Sequence, residues 1–507
     1  MNRRDFIRNV GCGAMGSTTL LSTLANLGVV NGAMANKSFH NASPDDYKAI
    51  VCVLLAGGMD SYNMLIPNGT GSGGDNGFAN YQTVRGGLAL QDVNTLHNLN
   101  ILEHVGVRGV TNAYDSFAVH TQMPELQQLF DAGNLAFMSN IGTLVEPLAN
   151  EADYDNDLKK KPLGIYSHSD QIQQWQTSVP QSRDSLGFGG RIADLLHAGN
   201  DNVNLSMNIS LGGKNIFQRG KEVSEYAIRN NINANNVGFE GLPSGWSNSG
   251  YMTQLRNQAV DNLVAETYRN ALHTAYGVNT QSSIAAFETF KQALLKVPSF
   301  TTSFPQTGLA QDLFAISRVM SIRNELGVKR QIFFVTYGGW DMHDNLIASL
   351  NGRLPVVSQA LKAFYDSTVE LGIADKVTTI TISDFGRTLT SNGTGTQQGS
   401  DHAWGGNSIV MGGSVNGRKI YGGYPQMEIQ TNARNISNRG NFIPAVSTDE
   451  LYAELALWYG VSPSDLCYAL PNIGNFYSYS AGNYPLGLMD MSGGISTVDQ
   501  PQNCLTY

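Results

Sequence analysis

Apolar, β-branched runs recur along the chain and are continuous rather than alternating, which is typical of strands buried on both faces of a parallel sheet. The predicted strands are residues 49–55, 135–141, 203–211, 331–337, 377–382 and 408–411. Segments with helical periodicity lie between them, at residues 124–132, 186–197, 252–275, 284–295, 311–325, 355–371 and 448–459. This alternation predicts an α/β fold with three α/β/α layers around a doubly wound, mostly parallel sheet.

One long segment departs from the alternation. Residues 213–328 have mainly helical periodicity and contain no clear strand, so we interpret them as a helical insertion or cap over the sheet. Large α/β enzymes are commonly single domains enlarged by insertions. Residues 36–507 are therefore predicted to form one α/β domain.

The first 35 residues have the pattern of an export signal. Arg3 and Arg4 are followed by an apolar residue and another base, as a twin-arginine signal requires. A weakly apolar stretch then leads to the small residues of a cleavage site at 33–35. A retained membrane anchor is the alternative, but a spanning helix needs about 20 residues with few polar interruptions. We expect a periplasmic or secreted protein with no membrane span after processing.

Charge excludes one class of partner. Removal of residues 1–35 takes away three of the 32 basic residues and one of the 41 acidic ones, which leaves 29 and 40 and a net charge of −11. A nucleic-acid-binding protein needs a basic face to displace counterions from phosphates, so nucleic acid is not an expected partner. Cys52, Cys467 and Cys504 remain and allow at most one disulfide, whose pairing stays open.

Three predicted strands lead into a glycine-containing turn with an aspartate. These aspartates are Asp60, Asp341 and Asp384. Ligands of open parallel sheets bind beyond the carboxyl ends of the strands, so these side chains are expected to converge. Because carboxylates in one crevice repel one another, the arrangement either raises a pKa or binds a cation.

Two histidines lie where such a site would use nitrogen ligands. His343 follows Asp341 by two positions, and His402 lies in a glycine-rich loop. Mixed carboxylate and imidazole ligands suit zinc, manganese or iron, whereas oxygen ligands alone suit calcium or magnesium. The alternative is that the aspartates are helix caps and the histidines belong to surface loops. The predicted metal ligands are Asp60, Asp341, His343, Asp384 and His402, around a divalent ion that is zinc, manganese, calcium or magnesium.

Several blocks together resemble a known family. They are Leu55 to Asn63, Val119-His120, Ser167-His168 with Trp175, Gly338 to His343, Ser383 to Thr388, Ser400 to His402, Met411 to Gly413 and Ile443 to Val461. In this order they resemble the bacterial exported proteins of the DUF1501 family, which belongs to the alkaline phosphatase and sulfatase superfamily. The resemblance spans nearly the whole chain after the signal.

The resemblance implies that Asp and His residues at strand ends bind one or two metals, and that a Ser, Thr or modified Cys attacks a phosphate or sulfate ester. The candidate catalytic residues are Thr121 and Ser167, chosen because they adjoin His120 and His168, together with His168 itself and with Arg387 as an anion clamp. Phe385 departs from the superfamily pattern, because active members of the superfamily carry His or Asn there. The sulfatase motif Cys-x-Pro-x-Arg is also absent from the sequence.

Two functional hypotheses follow. The first is an exported, metal-dependent hydrolase of phosphate or sulfate esters, with a small-molecule or glycan ester as substrate. The second is a non-catalytic binding or cell-envelope protein that retains the fold. The presence of all five predicted metal ligands favours the first, whereas Phe385 and the lack of an obvious nucleophile favour the second.

Overall fold

The structure is a computed structural model that describes residues 46–492, apart from 72, 184–185, 233–285, 287–288, 396 and 481. The predicted signal peptide, the predicted helix at 252–275, most of that at 284–295 and Cys504 lie outside the described residues. No helix in the described part of the chain is both long enough and apolar enough to cross a membrane.

The described chain alternates strands and helices. The strands are β1 Lys48–Ala56, β2 Leu65–Pro67, β3 His97–Asn98, β4 Glu103–Val105, β5 Phe117–Val119, β6 Leu135–Gly142, β7 Asn208–Ser210, β8 Tyr226–Ala227, β9 Arg330–Gly338, β10 Val377–Ser383, β11 Gly406–Gly412, β12 Lys419–Gly422 and β13 Val446–Ser447. The helices are α1 Gly77–Arg85, α2 Pro124–Asp131, α3 Glu151–Asp155, α4 His168–Thr177, α5 Phe188–Leu196, α6 Gly308–Ser321, α7 Arg323–Leu326, α8 Leu346–Glu370, α9 Thr448–Tyr459 and α10 Leu466–Ala469.

Ten strands form one central sheet in the order β4-β12-β6-β11-β10-β1-β9-β7-β8, with β13 paired to β6. Every pairing in this sheet is parallel except the two made by β11. A separate small antiparallel sheet contains β2, β5 and β3. The prediction of a mostly parallel sheet is therefore confirmed.

Each face of the central sheet is covered by helices. Successive side chains of a strand point to opposite faces, and β1 shows the division: Val51 and Val53 belong to one core, whereas Cys52 and Leu54 belong to the other. The first core includes buried residues of α2, α6 and α8, and the second includes those of α5, α9 and α10. This arrangement confirms the three-layer α/β/α prediction.

Segment 213–328 is only partly described. It contributes β8, which pairs with β7 at the edge of the sheet, although the sequence showed no clear strand there. It also contributes α6, which packs into the first core and joins α8 through a 2.7 Å hydrogen bond between Ser317 and Ser367. The part of this segment near residues 308–321 thus belongs to a layer of the fold. The prediction of an insertion or cap over the sheet stays a prediction.

Element boundaries differ from the predictions in two places. Helix α8 begins at Leu346 and contains Pro355, which the sequence placed at the start of the helix. Proline removes one helical hydrogen bond, but the buried Leu346, Leu350 and Leu354 continue the apolar stripe on its N-terminal side. In the predicted strand 203–211, only Asn208–Ser210 pairs in the sheet.

The two described cysteines have different states. Cys52 is a free thiol buried in β1, and burial raises its pKa well above the usual value. Cys467 is disulfide-bonded. Cys52 therefore acts as a packing residue of the second core.

The start of α9 gives a stability prediction. Ser447 and Glu450 form a capping box, in which the Ser447 amide donates to Glu450 Oε2 at 2.8 Å. Ser447→Ala should lower the free energy of unfolding by about 1 kcal/mol, because a helix N-terminal amide loses its acceptor. Urea denaturation measures the change. The exposed Thr83→Ala in α1 is the control and should stay within about 0.5 kcal/mol of the unmodified protein. An equal loss in both variants would contradict the role of the cap.

Candidate metal centre

Asp341 lies in the turn after β9, at the carboxyl edge of the sheet, and four side chains approach its Oδ1 atom. Arg387 Nη2 donates to this oxygen at 2.6 Å. The Nε2 atoms of His343, His168 and His402 lie 2.9, 3.4 and 3.5 Å from the same atom. One carboxylate oxygen is thus the meeting point of three imidazoles.

Separate parts of the chain bring these histidines together. His168 is the first residue of α4, and His343 follows the turn after β9. His402 precedes β11 and is held beside the end of β10 by a backbone bridge to Arg387.

The far nitrogen of each imidazole meets a hydrogen-bond acceptor. Nδ1 of His168 lies 2.6 Å from Asp384 Oδ2, and Nδ1 of His343 lies 2.9 Å from Asp401 Oδ1. Nδ1 of His402 lies 2.7 Å from the carbonyl oxygen of Tyr166. Carboxylate and carbonyl oxygens only accept, so each Nδ1 carries the proton. In its neutral form, each ring then presents a lone pair at Nε2.

These lone pairs face one another across a small space. The Nε2 atoms of His343 and His402 are 3.0 Å apart, and the buried Nε2 of His168 has no hydrogen-bond partner in the described structure. Ligand atoms of His168, Asp341 and His402 all lie within 4.8 Å of one another. Lone pairs at this spacing repel unless a cation lies between them, so the donor set fits a metal ion.

Arg387 fixes the position of Asp341. Its side chain is fully buried, and its nitrogens donate to the carbonyl oxygens of Gly58 at 2.7 Å and Ser400 at 2.9 Å, and to that of Gly57. Burial alone would raise the pKa of Asp341, but the hydrogen bond and charge of Arg387 hold it below the usual value. Asp341 is therefore kept as a carboxylate.

Both carboxylate oxygens of Asp384 accept hydrogen bonds. Its Oδ1 accepts the Gly57 amide at 2.9 Å and its Oδ2 accepts the His168 ring at 2.6 Å. With both oxygens in hydrogen bonds, Asp384 orients His168, and its own role as a metal ligand stays a prediction. Carboxylates in this position fix the tautomer of a ligating histidine and increase its basicity.

A third carboxylate, Asp401, orients His343. It also forms an ion pair with Arg439 and accepts from Asn392 Nδ2 at 3.2 Å. Burial acts to raise the pKa of Asp401, but the hydrogen bonds of Arg439, Asn392 and His343 lower it to about 2. Burial lowers the pKa of His402, against the hydrogen bond to Tyr166 that raises it. Both shifts favour the charge states that bind a cation.

Phe385 packs against two of the rings. Its ring centroid lies 4.8 Å from that of His168 and 4.5 Å from that of His402. Its side chain supplies no ligand atom. It instead forms an apolar wall that restricts both imidazoles.

One protein-family model matches most of the chain. Residues 47–468 match the family described as "Protein of unknown function (DUF1501)". The chain belongs to the DUF1501 family. No curated protein matches this DUF1501 chain.

Solved structures show only weak similarity to this DUF1501 protein. Ps i-CgsB has 8% sequence identity and a TM-score of 0.30, with 81% of this chain and 71% of that one covered. Its complex with k-i-k-neocarrahexaose has 9% identity, a TM-score of 0.30 and the same coverage. The lipoteichoic acid synthase LtaP from Listeria monocytogenes has 9% identity and a TM-score of 0.27, with 80% and 77% covered.

Asp60 lies apart from the cluster in the described contacts of the DUF1501 chain. It follows β1, is buried, and forms an ion pair with Arg85, whose Nη1 donates to the Thr388 carbonyl at 3.3 Å. Asp60 Oδ1 has no hydrogen-bond partner there, and no described contact joins Asp60 to Asp341. Its role as a metal ligand stays a prediction.

The two hydroxyl residues also lie in different places. Ser167 is the N-cap of α4 and accepts the Asp170 amide at 3.4 Å, directly beside His168. Thr121 follows β5 of the small sheet, where its carbonyl accepts His97 Nε2 at 3.0 Å. Only Ser167 is thus next to a residue of the cluster, and neither catalytic role is tested by the geometry.

Sequence reasoning missed two residues that hold the imidazoles. Asp401 precedes His402 directly, and this adjacency was the only signal for it. Tyr166 gave no signal, because its contribution is a backbone carbonyl. Its φ of +77° is strained for a residue with a side chain, and such strain often occurs at functional sites.

Gly57 gives a prediction about the geometry of this DUF1501 site. Its φ is +122°, and a Cβ atom there would lie 2.5 Å from the Asp341 amide nitrogen. Gly57→Ala should therefore displace Asp341 and weaken Zn²⁺ binding at least about 10-fold, as expected when support of a metal site is disturbed. Titration calorimetry of the purified variant measures the affinity.

Gly338→Ala is the matched control. Gly338 ends β9, and a Cβ atom there would meet nothing within 4 Å. Its affinity should equal that of the unmodified protein. Equal affinities for all three proteins would show that the turn after β1 does not support Asp341.

Proposed function

We propose that this protein is an exported hydrolase of phosphate or sulfate esters that uses one divalent metal ion. The ion would be held by His168, Asp341 and His402, with His343 as a fourth donor. The observation that carries the proposal is the convergence of three imidazole Nε2 atoms on Asp341 Oδ1, at 2.9 to 3.5 Å.

The donor set favours zinc over calcium or magnesium. Three neutral imidazoles and one carboxylate match the borderline metals, whereas calcium and magnesium prefer oxygen ligands. Zinc is therefore the ion that we propose, and manganese is the second choice among the predicted ions.

The side chains around the ion have separate roles in this proposal. When bound, the ion would polarise a non-bridging ester oxygen and lower the pKa of an attacking hydroxyl or water. Arg387 holds Asp341, and Asp384 holds His168 with Nε2 free. Arg387 was predicted to clamp the substrate anion, but its bonds to backbone carbonyls and Asp341 support a positioning role instead.

Ser167 is the better supported of the two candidate nucleophiles. It precedes His168 directly, and its Oγ accepts the Asp170 amide at 3.4 Å, lies 3.1 Å from Ser169 Oγ and hydrogen-bonds to the Asp170 carboxylate. Thr121 has no described contact with the histidine cluster.

The non-catalytic alternative also has a supporting observation. Phe385 fills the space beside His168 and His402 with an apolar ring, so the site has fewer ligands than the family pattern implies. A metal-bearing protein that binds a glycan or small-molecule ester without cleaving it would show this arrangement. The twin-arginine prediction would place either function in the periplasm or outside the cell.

The first test of the function removes single ligands. His168→Ala and His402→Ala should each lower bound zinc from one ion per chain to near zero, because three donors define the site. Both should lose hydrolysis of p-nitrophenyl phosphate and p-nitrophenyl sulfate by at least about 100-fold, since the catalytic ion is lost.

The control for this test is His104→Ala. His104 lies in β4 and contacts Asp115 and Asn112. It should keep both zinc and activity. Zinc measured by elemental analysis that is unchanged in His168→Ala and His402→Ala would contradict the site, and zinc without ester cleavage would support the binding alternative.

Asp384→Asn tests the orientation of His168. The amide has one oxygen, so it cannot accept from both the Gly57 amide and His168 Nδ1. Zinc affinity should fall about 10- to 100-fold, while the saturating stoichiometry stays at one ion. Competition with a coloured chelator measures the affinity. A complete loss of stoichiometric binding would instead indicate that Asp384 is itself a ligand.

A further inference from the structure

We propose that His343 is a displaceable fourth ligand, which Asp401 and Arg439 hold over the metal until an anionic ester oxygen replaces it. This inference rests on the proposed function, because it concerns the same ion. It makes Asp401 and Arg439 positioning residues that act through the imidazole of His343.

The ligand count favours such an exchange. His168, Asp341 and His402 form a three-residue set whose ligand atoms lie within 4.8 Å of one another. His343 is outside this set, but its Nε2 lies 2.9 Å from Asp341 Oδ1 and 3.0 Å from His402 Nε2. Four protein ligands would close a tetrahedral zinc site, whereas catalytic sites keep one position open. Departure of one ligand would open that position to an ester.

The burial of the carboxylates that hold the histidines indicates which ligand leaves. Asp384, which holds His168, is 0% exposed, whereas Asp401, which holds His343, is 36% exposed. The side chain of His343 is 44% exposed, against 33% for His168 and 24% for His402. Hydrogen bonds to an exposed, solvent-screened carboxylate are weaker. The His343 ring therefore costs least to release.

The side chain of Asp341 is about as exposed as that of His343, but a buried partner holds it in place. Its Oδ1 is tied to the fully buried guanidinium of Arg387 at 2.6 Å. Movement of Asp341 away from the site would leave the buried guanidinium without this carboxylate partner, which is unfavourable. His343 has no comparable buried partner among the described residues.

Only the side chain of His343 needs to move. Its carbonyl accepts Asn392 Nδ2 at 2.8 Å, and a Cβ atom at Gly399 would collide with the His343 backbone. The neighbouring Ser400 amide donates to the Met342 carbonyl at 3.1 Å. The main chain is thus fixed on both sides, so rotation of the imidazole away from Asp341 opens the position without movement of a loop.

The test uses the Co²⁺-substituted full-length protein, whose visible spectrum reports coordination, with inorganic phosphate as the probe. His343→Ala should retain one ion per chain, unlike His168→Ala. It should also bind phosphate at least about 10-fold more tightly than the unmodified protein, because the protein ligand no longer competes for the position. Near-UV circular dichroism checks the fold.

Asp401→Asn is the second variant and keeps the residue's shape. With a weaker hold on His343, it should give an intermediate gain in phosphate affinity with one ion retained. Loss of the ion from His343→Ala, or phosphate affinity no higher than in the unmodified protein, would overturn the inference.

The inference and the proposed function fail in different ways. If the unmodified protein and His343→Ala both bind one ion and respond to phosphate as expected, but neither ester is cleaved, the proposed hydrolase function is wrong and ligand exchange stands. If esters are cleaved but His343→Ala loses its ion like His168→Ala, His343 is a permanent ligand and only the inference is wrong.

Discussion

The repulsion among three imidazole lone pairs and one carboxylate oxygen is the constraint on which this site depends. Nδ1 of His168, His343 and His402 each faces an acceptor oxygen, so in the neutral form these rings direct lone pairs at Asp341 from their Nε2 atoms. Such a cluster is unfavourable by itself and becomes favourable around a cation. The surrounding structure is organised to hold it together.

The fold explains how the cluster of three imidazoles and Asp341 is held together. The parallel strands β1, β9 and β10 end at the same edge, and Arg387 links the turns that follow them through the Gly57 and Gly58 carbonyls and Asp341. A buried guanidinium with this many partners is difficult to displace. The cluster is therefore built on strand ends, and His343 is the most exposed of its three histidines.

Much of the sheet could be predicted from the sequence, and less of the site. Continuous apolar runs identified β1, β9 and β10, because strands buried on both faces need apolar residues at every position. The turn after each strand identified Asp341 and Asp384 as residues of one edge. Short strands such as β8 were missed because two residues carry no periodicity.

The assignment of roles needed three-dimensional geometry. The sequence gives no way to tell Asp341 and Asp384 apart. Their side-chain directions show that Asp341 faces three imidazole Nε2 atoms and that Asp384 faces the Nδ1 of His168. His168 lies far along the chain from the other candidates, so adjacency to Ser167 was its only signal. The Tyr166 carbonyl is a backbone group, which side-chain patterns do not reveal.

Anomalous diffraction from crystals of the zinc-loaded protein, measured above and below the zinc absorption edge, tests the central claim most directly. The account predicts one peak about 2.0–2.2 Å from the Nε2 atoms of His168 and His402 and from an oxygen of Asp341, as in known zinc sites. No peak between these residues, or a peak at Asp60 instead, would contradict it.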